Sequence, residues 1–130
     1  MSNVELFHQY TAKIFDLLYD EFPIAKDLDL CKLVKKEIDP FELKLPKECE
    51  IMEHTIYFLK QEGYLWYEKG DINGFYKVRL TSKALAILQK KPKALKANLI
   101  ESIKHWLKLG NDELVKKSVE LIFEGAKSAS

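Results

Sequence analysis

The residues able to do chemistry are few and scattered. Cys31 and Cys49 each stand alone within predicted helices, and His8, His54 and His105 lie far apart. The densest cluster is around His54, which follows Glu50 by four residues and Glu53 by one, with Cys49 close by. A metal centre needs three or four ligands converging on one point, and neither a His-Glu-x-x-His nor a Cys-x-x-Cys spacing is present. The sequence holds no glycine-rich phosphate loop, no Gly-x-Ser-x-Gly elbow and no plausible nucleophile triad. The expectation is therefore a protein with no catalytic residues, no metal and no cofactor, in which His54 is a surface histidine beside two glutamates. Free thiols are the plain reading of the two cysteines, in keeping with a reducing cytoplasm.

The elements that carry these residues belong to an ordinary globular chain. At 130 residues with 47% hydrophobic and 32% charged side chains, it has the size and composition of one domain with its own core. No apolar run reaches the roughly 18 residues of a membrane span. The first residues, Met1 to Glu5, lack a basic segment followed by an apolar one, so no secretory leader is expected and a cytoplasmic location is. The formal net charge of +1 conceals an asymmetry. Residues 1–53 sum to −5 (seven Lys, twelve acids), 54–82 to +1, 83–108 to +6 (seven Lys, one Glu) and 109–130 to −1. The basic stretch can attract phosphate or acidic partners, or be the solvated face of a helix.

Helical periodicity predicts a first helix over Asn3 to Glu21, opened by a Ser2/Glu5 capping box and stopped by Pro23. Its apolar stripe is Leu6, Tyr10, Ile14, Leu17 and Leu18. A short helix near Asp29 to Glu37 follows, capped by Asp27 or Asp29. The segment Ile38 to Pro46 carries two prolines and is predicted as a loop. A third helix over Lys47 to Glu62 ends at Gly63. Leu65–Lys69 and Phe75–Leu80 are predicted strands joined by Gly70-Asp71-Ile72-Asn73-Gly74, in which Asn73-Gly74 signals a tight turn. Thr81 then caps a fourth helix carrying Ala84, Leu85 and Leu88.

This order, with FLKQEGYLWYEKGDINGFYKVRLTSKALAIL from Phe58 to Leu88, resembles the winged helix-turn-helix domains of bacterial regulators of the MarR and PadR type. The residues that carry the likeness are a helix ending in Leu-x-x-x-Gly-Tyr-Leu, a hairpin with a glycine at its tip, and Leu-Thr-Ser-Lys opening the next helix. The match as a whole covers about two thirds of the chain. The resemblance implies a mainly α fold with a small β-hairpin, residues 1–90 being a winged helix. Residues 91–130 are expected to form a C-terminal helical pair that packs on it within a single compact unit or forms a dimer interface.

It also implies a reading surface, in which the third helix enters the major groove and the wing touches the backbone. Helical phase places Cys49, Ile51, Met52, Thr55, Ile56, Phe58 and Leu59 inward, and Glu50, Glu53, His54, Tyr57, Lys60 and Gln61 outward. Tyr57, Lys60 and Gln61 are the candidates for approaching bases. On the wing, Lys69, Lys77 and Arg79 are the candidates for holding phosphate, strict alternation putting Phe75, Lys77 and Arg79 opposite Tyr76, Val78 and Leu80. Against this, Glu48, Glu50 and Glu53 crowd the leading end of the helix, where they would repel a duplex carrying one charge per ~1.7 Å. Ile38 to Pro46 also separate the second and third helices by more than the usual short turn.

Beyond Pro92, Lys93 to Leu109 and a helix capped by Asn111 or Asp112 form two amphipathic elements. Lys93, Lys104 and Lys108 oppose the stripe that contains Trp106, a pattern that can lie on an anionic membrane surface, pair two copies, or pack on the last helix. The preferred reading combines the last two. Leu95, Leu99, Ile103, Trp106, Val119, Ile122 and Phe123 are then candidate dimer-interface residues. Two functions remain open at this point. The favoured one is a dimeric, non-enzymatic DNA-binding regulator acting on double-stranded DNA. The alternative is a protein–protein interaction module using the same fold, motivated by the acidic third helix and by Trp66 and Phe75 as exposed aromatics.

Overall fold

The computed structural model describes residues 1–36, 41 and 45–128. Expectations that fall on Glu37, on most of the Ile38–Pro46 loop, or on Ala129 and Ser130 lie outside the described residues. Among those described, six helices and four short strands follow the order α1 (Asn3–Glu21), β1 (Lys26–Asp29), α2 (Leu30–Val34), α3 (Lys47–Gln61), β2 (Leu65–Trp66), β3 (Lys69–Gly70), β4 (Gly74–Leu80), α4 (Ser82–Leu88), α5 (Leu99–Leu109) and α6 (Asp112–Ser128). The fold is mainly α with a small antiparallel sheet, as the periodicity implies.

Helix α1 is the centre of the molecule. Ser2 caps it by accepting the Glu5 N–H at 3.2 Å, as the capping box predicts. Ile14, Phe15 and Leu18 are fully buried, with Ala12 and Thr11 beside them. This burial is wider than the single stripe read from spacing, because α3, β4, α5 and α6 all pack on α1. The Lys104 ammonium on α5 hydrogen-bonds both Asp16 and Asp20 of α1. Burial pulls the Lys104 pKa down, but the bonds and charges of the two carboxylates outweigh it, so the net shift is upward. Lys104 therefore fastens α5 to α1 and is not part of a solvent-facing basic stripe.

The last two helices differ in extent from expectation. Helix α5 starts at Leu99, six residues later than the apolar periodicity suggests, because Asn98 accepts the Glu101 N–H at 2.9 Å and fixes the first turn there. Lys93 and Leu95 consequently precede the helix. Gly110 closes α5 in the left-handed region, and Asn111 caps α6 by accepting the Leu114 N–H. Helices α5 and α6 pack against each other and on α1, with α4 contributing further contacts.

Strand β4 organises the sheet. On one edge it pairs antiparallel with β1, and on the other with β2 and then β3. Strand β1 was not expected from sequence. The Phe58–Leu88 signature has a structural explanation. The Thr81 hydroxyl donates to the Gly63 carbonyl at 2.6 Å and accepts from the Ala84 N–H. The Thr81 N–H reaches the Tyr64 carbonyl. Lys83 Nζ donates to the Glu62 carbonyl at 2.7 Å and lies over the Tyr64 ring. Gly-Tyr and Leu-Thr-Ser-Lys thus lock the end of α3 to the start of α4, which is a folding role.

Candidate functional site

Strict alternation fails on β4, and the failure rearranges the expected site. The β1 pairing shifts by one residue between Lys26↔Val78 and Leu28↔Phe75, so Tyr76 and Lys77 together face Asp27. Lys77 sits at φ 57, and its N–H donates to Asp27 Oδ1 at 3.0 Å. This is a β-bulge, which resets the in–out phase of the strand. Phe75 therefore joins Val78 and Leu80 in the core at 0% exposure, correcting its reading as an exposed aromatic. Tyr76 moves to the outer face with Lys77 and Arg79. Trp66, 43% exposed, remains outside as expected.

The six candidate DNA contacts split between two surfaces. Tyr57, Lys60 and Gln61 line one groove of about 780 Å³ with His54, Phe58 and Tyr67, between α3 and the hairpin. In it, Lys60 Nζ sits 4.0 Å from the Tyr67 ring centroid, and Tyr57 packs edge-on against both His54 and Phe75. Burial first, and then the Glu53 charge, raise the Tyr57 pKa, so its hydroxyl remains a neutral donor. Lys69, Lys77 and Arg79 lie on the outer hairpin face and meet other groups of the chain. Lys77 pairs with Glu68 at 3.3 Å, Arg79 lies over the Trp66 ring and donates to the Leu80 carbonyl, and Lys69 lies near the Tyr76 ring. Asp27, Asp29, Glu68 and Asp71 are interspersed with these cations.

Asp71 holds the hairpin tip. Its Oδ1 accepts the Asn73 and Gly74 N–H groups, and the Tyr76 hydroxyl donates to Oδ2 at 3.1 Å. These bonds, the Asn73 N–H foremost, with help from the Lys69 charge, together outweigh the opposing effect of desolvation and hold the Asp71 pKa below 3.8. A depressed carboxylate supports the tip above the ordinary carboxylate pKa and releases it as pH falls through the lowered value. In an acid titration followed by amide NMR, Asn73 and Gly74 are expected to shift together with a midpoint below 3.8, and Asp71→Ala to abolish that transition. A midpoint at or above the ordinary value would remove Asp71 from this role.

A second groove, not foreseen, runs between the start of α1 and α3. Asn3, Val4, Phe7, Ile51, His54, Thr55 and Phe58 enclose about 350 Å³, and its wall is almost wholly apolar. Phe58 and Ile51 were placed in the core by helical phase. In fact Phe58 is 39% exposed and Ile51 only half-buried. Phe58 stacks edge-on against Phe7 of α1, at 5.2 Å between centroids, and Phe123 of α6, at 6.2 Å. The two grooves share His54 and Phe58, so a continuous aromatic strip crosses the exposed face of α3. Glu50 and Glu53 stand in the same part of the helix.

Of the candidate dimer contacts, Leu99, Ile103, Val119 and Ile122 are at most 2% exposed within the single chain. They are enclosed by α1, α4 and one another, and offer nothing to a second copy. Leu95, Trp106 and Phe123 keep part of their surface. Among the described residues, no three His, Cys, Asp or Glu side chains come together as a metal-ligand set. No described helix is long and apolar enough to cross a membrane. No protein-family model, curated protein or solved structure matches the chain.

Proposed function

We propose that the chain is a winged helix used as a non-enzymatic interaction module that binds polypeptide through the exposed face of α3. The observation that carries this reading is the apolar groove of Val4, Phe7, Ile51 and Phe58 beside an acidic helix start. Large apolar side chains left at the surface around a cleft are what a docking site offers. Glu48, Glu50 and Glu53 select a partner with Lys or Arg flanking its apolar anchors. The same acids oppose a phosphate backbone, and on the hairpin Lys77 is already matched by Glu68. The helix–helix–helix–hairpin–helix order supports the winged-helix assignment, and that fold serves more than one function.

A second reading, a regulator of double-stranded DNA, is favoured by one feature. Tyr57, Lys60 and Gln61 do share a polar groove next to the hairpin. The two readings separate in one experiment. A displayed peptide library panned on the full chain is expected to yield sequences with apolar anchors between basic residues. Phe58→Asp should weaken their binding more than tenfold, and Glu50→Lys/Glu53→Lys should weaken it several-fold. Fluorescence anisotropy with mixed-sequence duplex is expected to show no association at 50 mM salt. Failure to select any peptide, together with duplex binding that falls steeply with salt and with Lys77→Ala or Arg79→Ala, would replace the first reading with the second.

A further inference from the structure

A third cavity shares no residue with either groove on α3. Leu6, Gln9, Tyr10 and Lys13 recur at helical spacing and form one stripe of α1 along its wall. Lys104 bonds Asp16 and Asp20, and Gln9 Nε2 donates to the Asp112 carbonyl at 3.3 Å, so α5 and the turn after it run antiparallel to α1. Trp106, Leu107 and Val115 thereby meet the stripe, with Val34 of α2 beside them. The space between is about 340 Å³, at the small end of the roughly 300–1,000 Å³ usual for small-molecule sites.

The polar groups of this cavity are few and unmatched. Tyr10 is only 5% exposed, yet its hydroxyl bonds no described group. Burial, and then the charges of Glu48 and Cys49, raise the Tyr10 pKa, so the hydroxyl keeps its proton and can donate. Lys13 and Asp112 bring one positive and one negative side chain to the rim, and neither makes an ion pair among the described residues. They stand apart. The Gln9 bond places Asp112 one helical turn from Lys13 along α1, a rise of roughly 6 Å. Glu5 and Glu113 adjoin Asp112, and the Lys116 beside them is paired with Glu120 at 4.0 Å, so that end of the cavity is negative. Two opposite charges set apart over an apolar wall match a molecule that carries both charges on one apolar body.

We propose that this cavity binds a free apolar α-amino acid as its zwitterion. Lys13 takes the α-carboxylate and Asp112 the α-ammonium. The Tyr10 ring lies 5.8 Å from Lys13 Nζ, and its hydroxyl adds a neutral donor for the carboxylate. Trp106, Leu6, Leu107 and Val115 cover the apolar side chain. A ligand with only one of the two charges leaves the opposite residue of the site unmatched. The site does not depend on what α3 binds.

The test titrates the full chain with l-leucine and l-phenylalanine. Binding is read from the NMR shift of the Trp106 indole N–H and, in a Trp66→Phe chain where Trp106 is the sole tryptophan, from its emission. A saturable change with a Kd of about 1 mM or tighter is expected. The amine 3-methylbutylamine and the acid 4-methylpentanoate keep the leucine side chain and lack one charge each. Both should bind at least about tenfold more weakly than leucine. Glycine, which has no side chain to cover, should leave both signals unmoved. Lys13→Gln should weaken leucine and leave the amine unaffected, and Asp112→Asn should weaken leucine and leave the acid unaffected. Lys13 and Asp112 are exposed, so these variants keep the fold. No saturable change in either signal up to about 10 mM of both amino acids would overturn the proposal. So would equal binding of leucine, the amine and the acid, or leucine binding that both variants leave unchanged. The indole N–H signal is read on the unaltered chain, so the result does not hinge on Trp66→Phe.

Discussion

Gly74→Ala is expected to destabilise the protein by about 3 kcal/mol and to lower its melting temperature by on the order of 10 °C. A Cβ built at Gly74 would lie 2.0 Å from the Leu28 carbonyl oxygen, 3.0 Å from its carbon and 3.2 Å from the Asp29 Cα. All three are backbone atoms, so no side-chain rotation relieves the clash. The strands must part where Leu28 meets Phe75 and Asp29 meets Gly74. The neighbouring Leu30 N–H to Asn73 carbonyl bond would be strained as well. Leu28 and Leu30, at 3% and 0% exposure, would be drawn out of the core. A reading based on turn chemistry predicts something milder. It treats Gly74 as the residue that tolerates a left-handed turn, yet Gly74 is not among the residues with positive φ. Denaturant unfolding of Gly74→Ala beside Asn73→Ala separates the two views. Asn73→Ala should stay within about 1 kcal/mol of the parent, and an equally small effect of Gly74→Ala would discredit the close-approach argument.

The same residues show where sequence reasoning reaches its limit. Helix ends were legible wherever the signal is local. Ser2, Thr81 and Asn111 accept the amides that capping rules assign them, and Gly63 and Gly110 occupy the left-handed region. The start of α5 was as legible in principle, since Asn98 and Glu101 are spaced as a capping box, but the apolar periodicity reaching back to Leu95 masked it. Strand β1 was not legible. Its four residues contain Leu28 as the single strongly apolar one, and it is a strand because β4 lies beside it. The bulge on β4 was hidden for a related reason. Lysine rarely takes a positive φ, and Lys77 does so with its amide held by Asp27, fifty positions away. That one residue moved Phe75 inward and Tyr76 outward. On α3, phase alone put Phe58 inside. Its surroundings are decided by Phe7 and Phe123 on other helices, which leave one face open and so create the groove.

The other large effect concerns the C-terminal pair. A chain ending at Lys90 is expected to lose cooperative folding, although the winged-helix resemblance sets residues 1–90 apart as one domain. Removing α5 and α6 takes away Leu99, Ile100, Ile103, Val115, Val119 and Ile122, each at most 2% exposed. Full burial of such a side chain stabilises by roughly 1.5–3 kcal/mol, so even half of this set approaches the whole 5–15 kcal/mol that separates folded from unfolded domains. The loss falls on α1, since both helices pack on it and Lys104 bonds its Asp16 and Asp20. Without them, one side of the central helix faces water. If the pair were instead an appendage whose apolar stripe joins two copies, the fragment would remain a folded monomer and only the full chain would dimerise. Circular dichroism melts of residues 1–90 and of the full chain, with their masses in solution, distinguish these cases. A sigmoidal melt for the fragment would refute the shared core. Val119→Asp in the full chain makes the same point with one residue. An enclosed carboxylate with no partner should cost about 3 kcal/mol or more in a shared core. At a dimer interface it would yield a folded monomer.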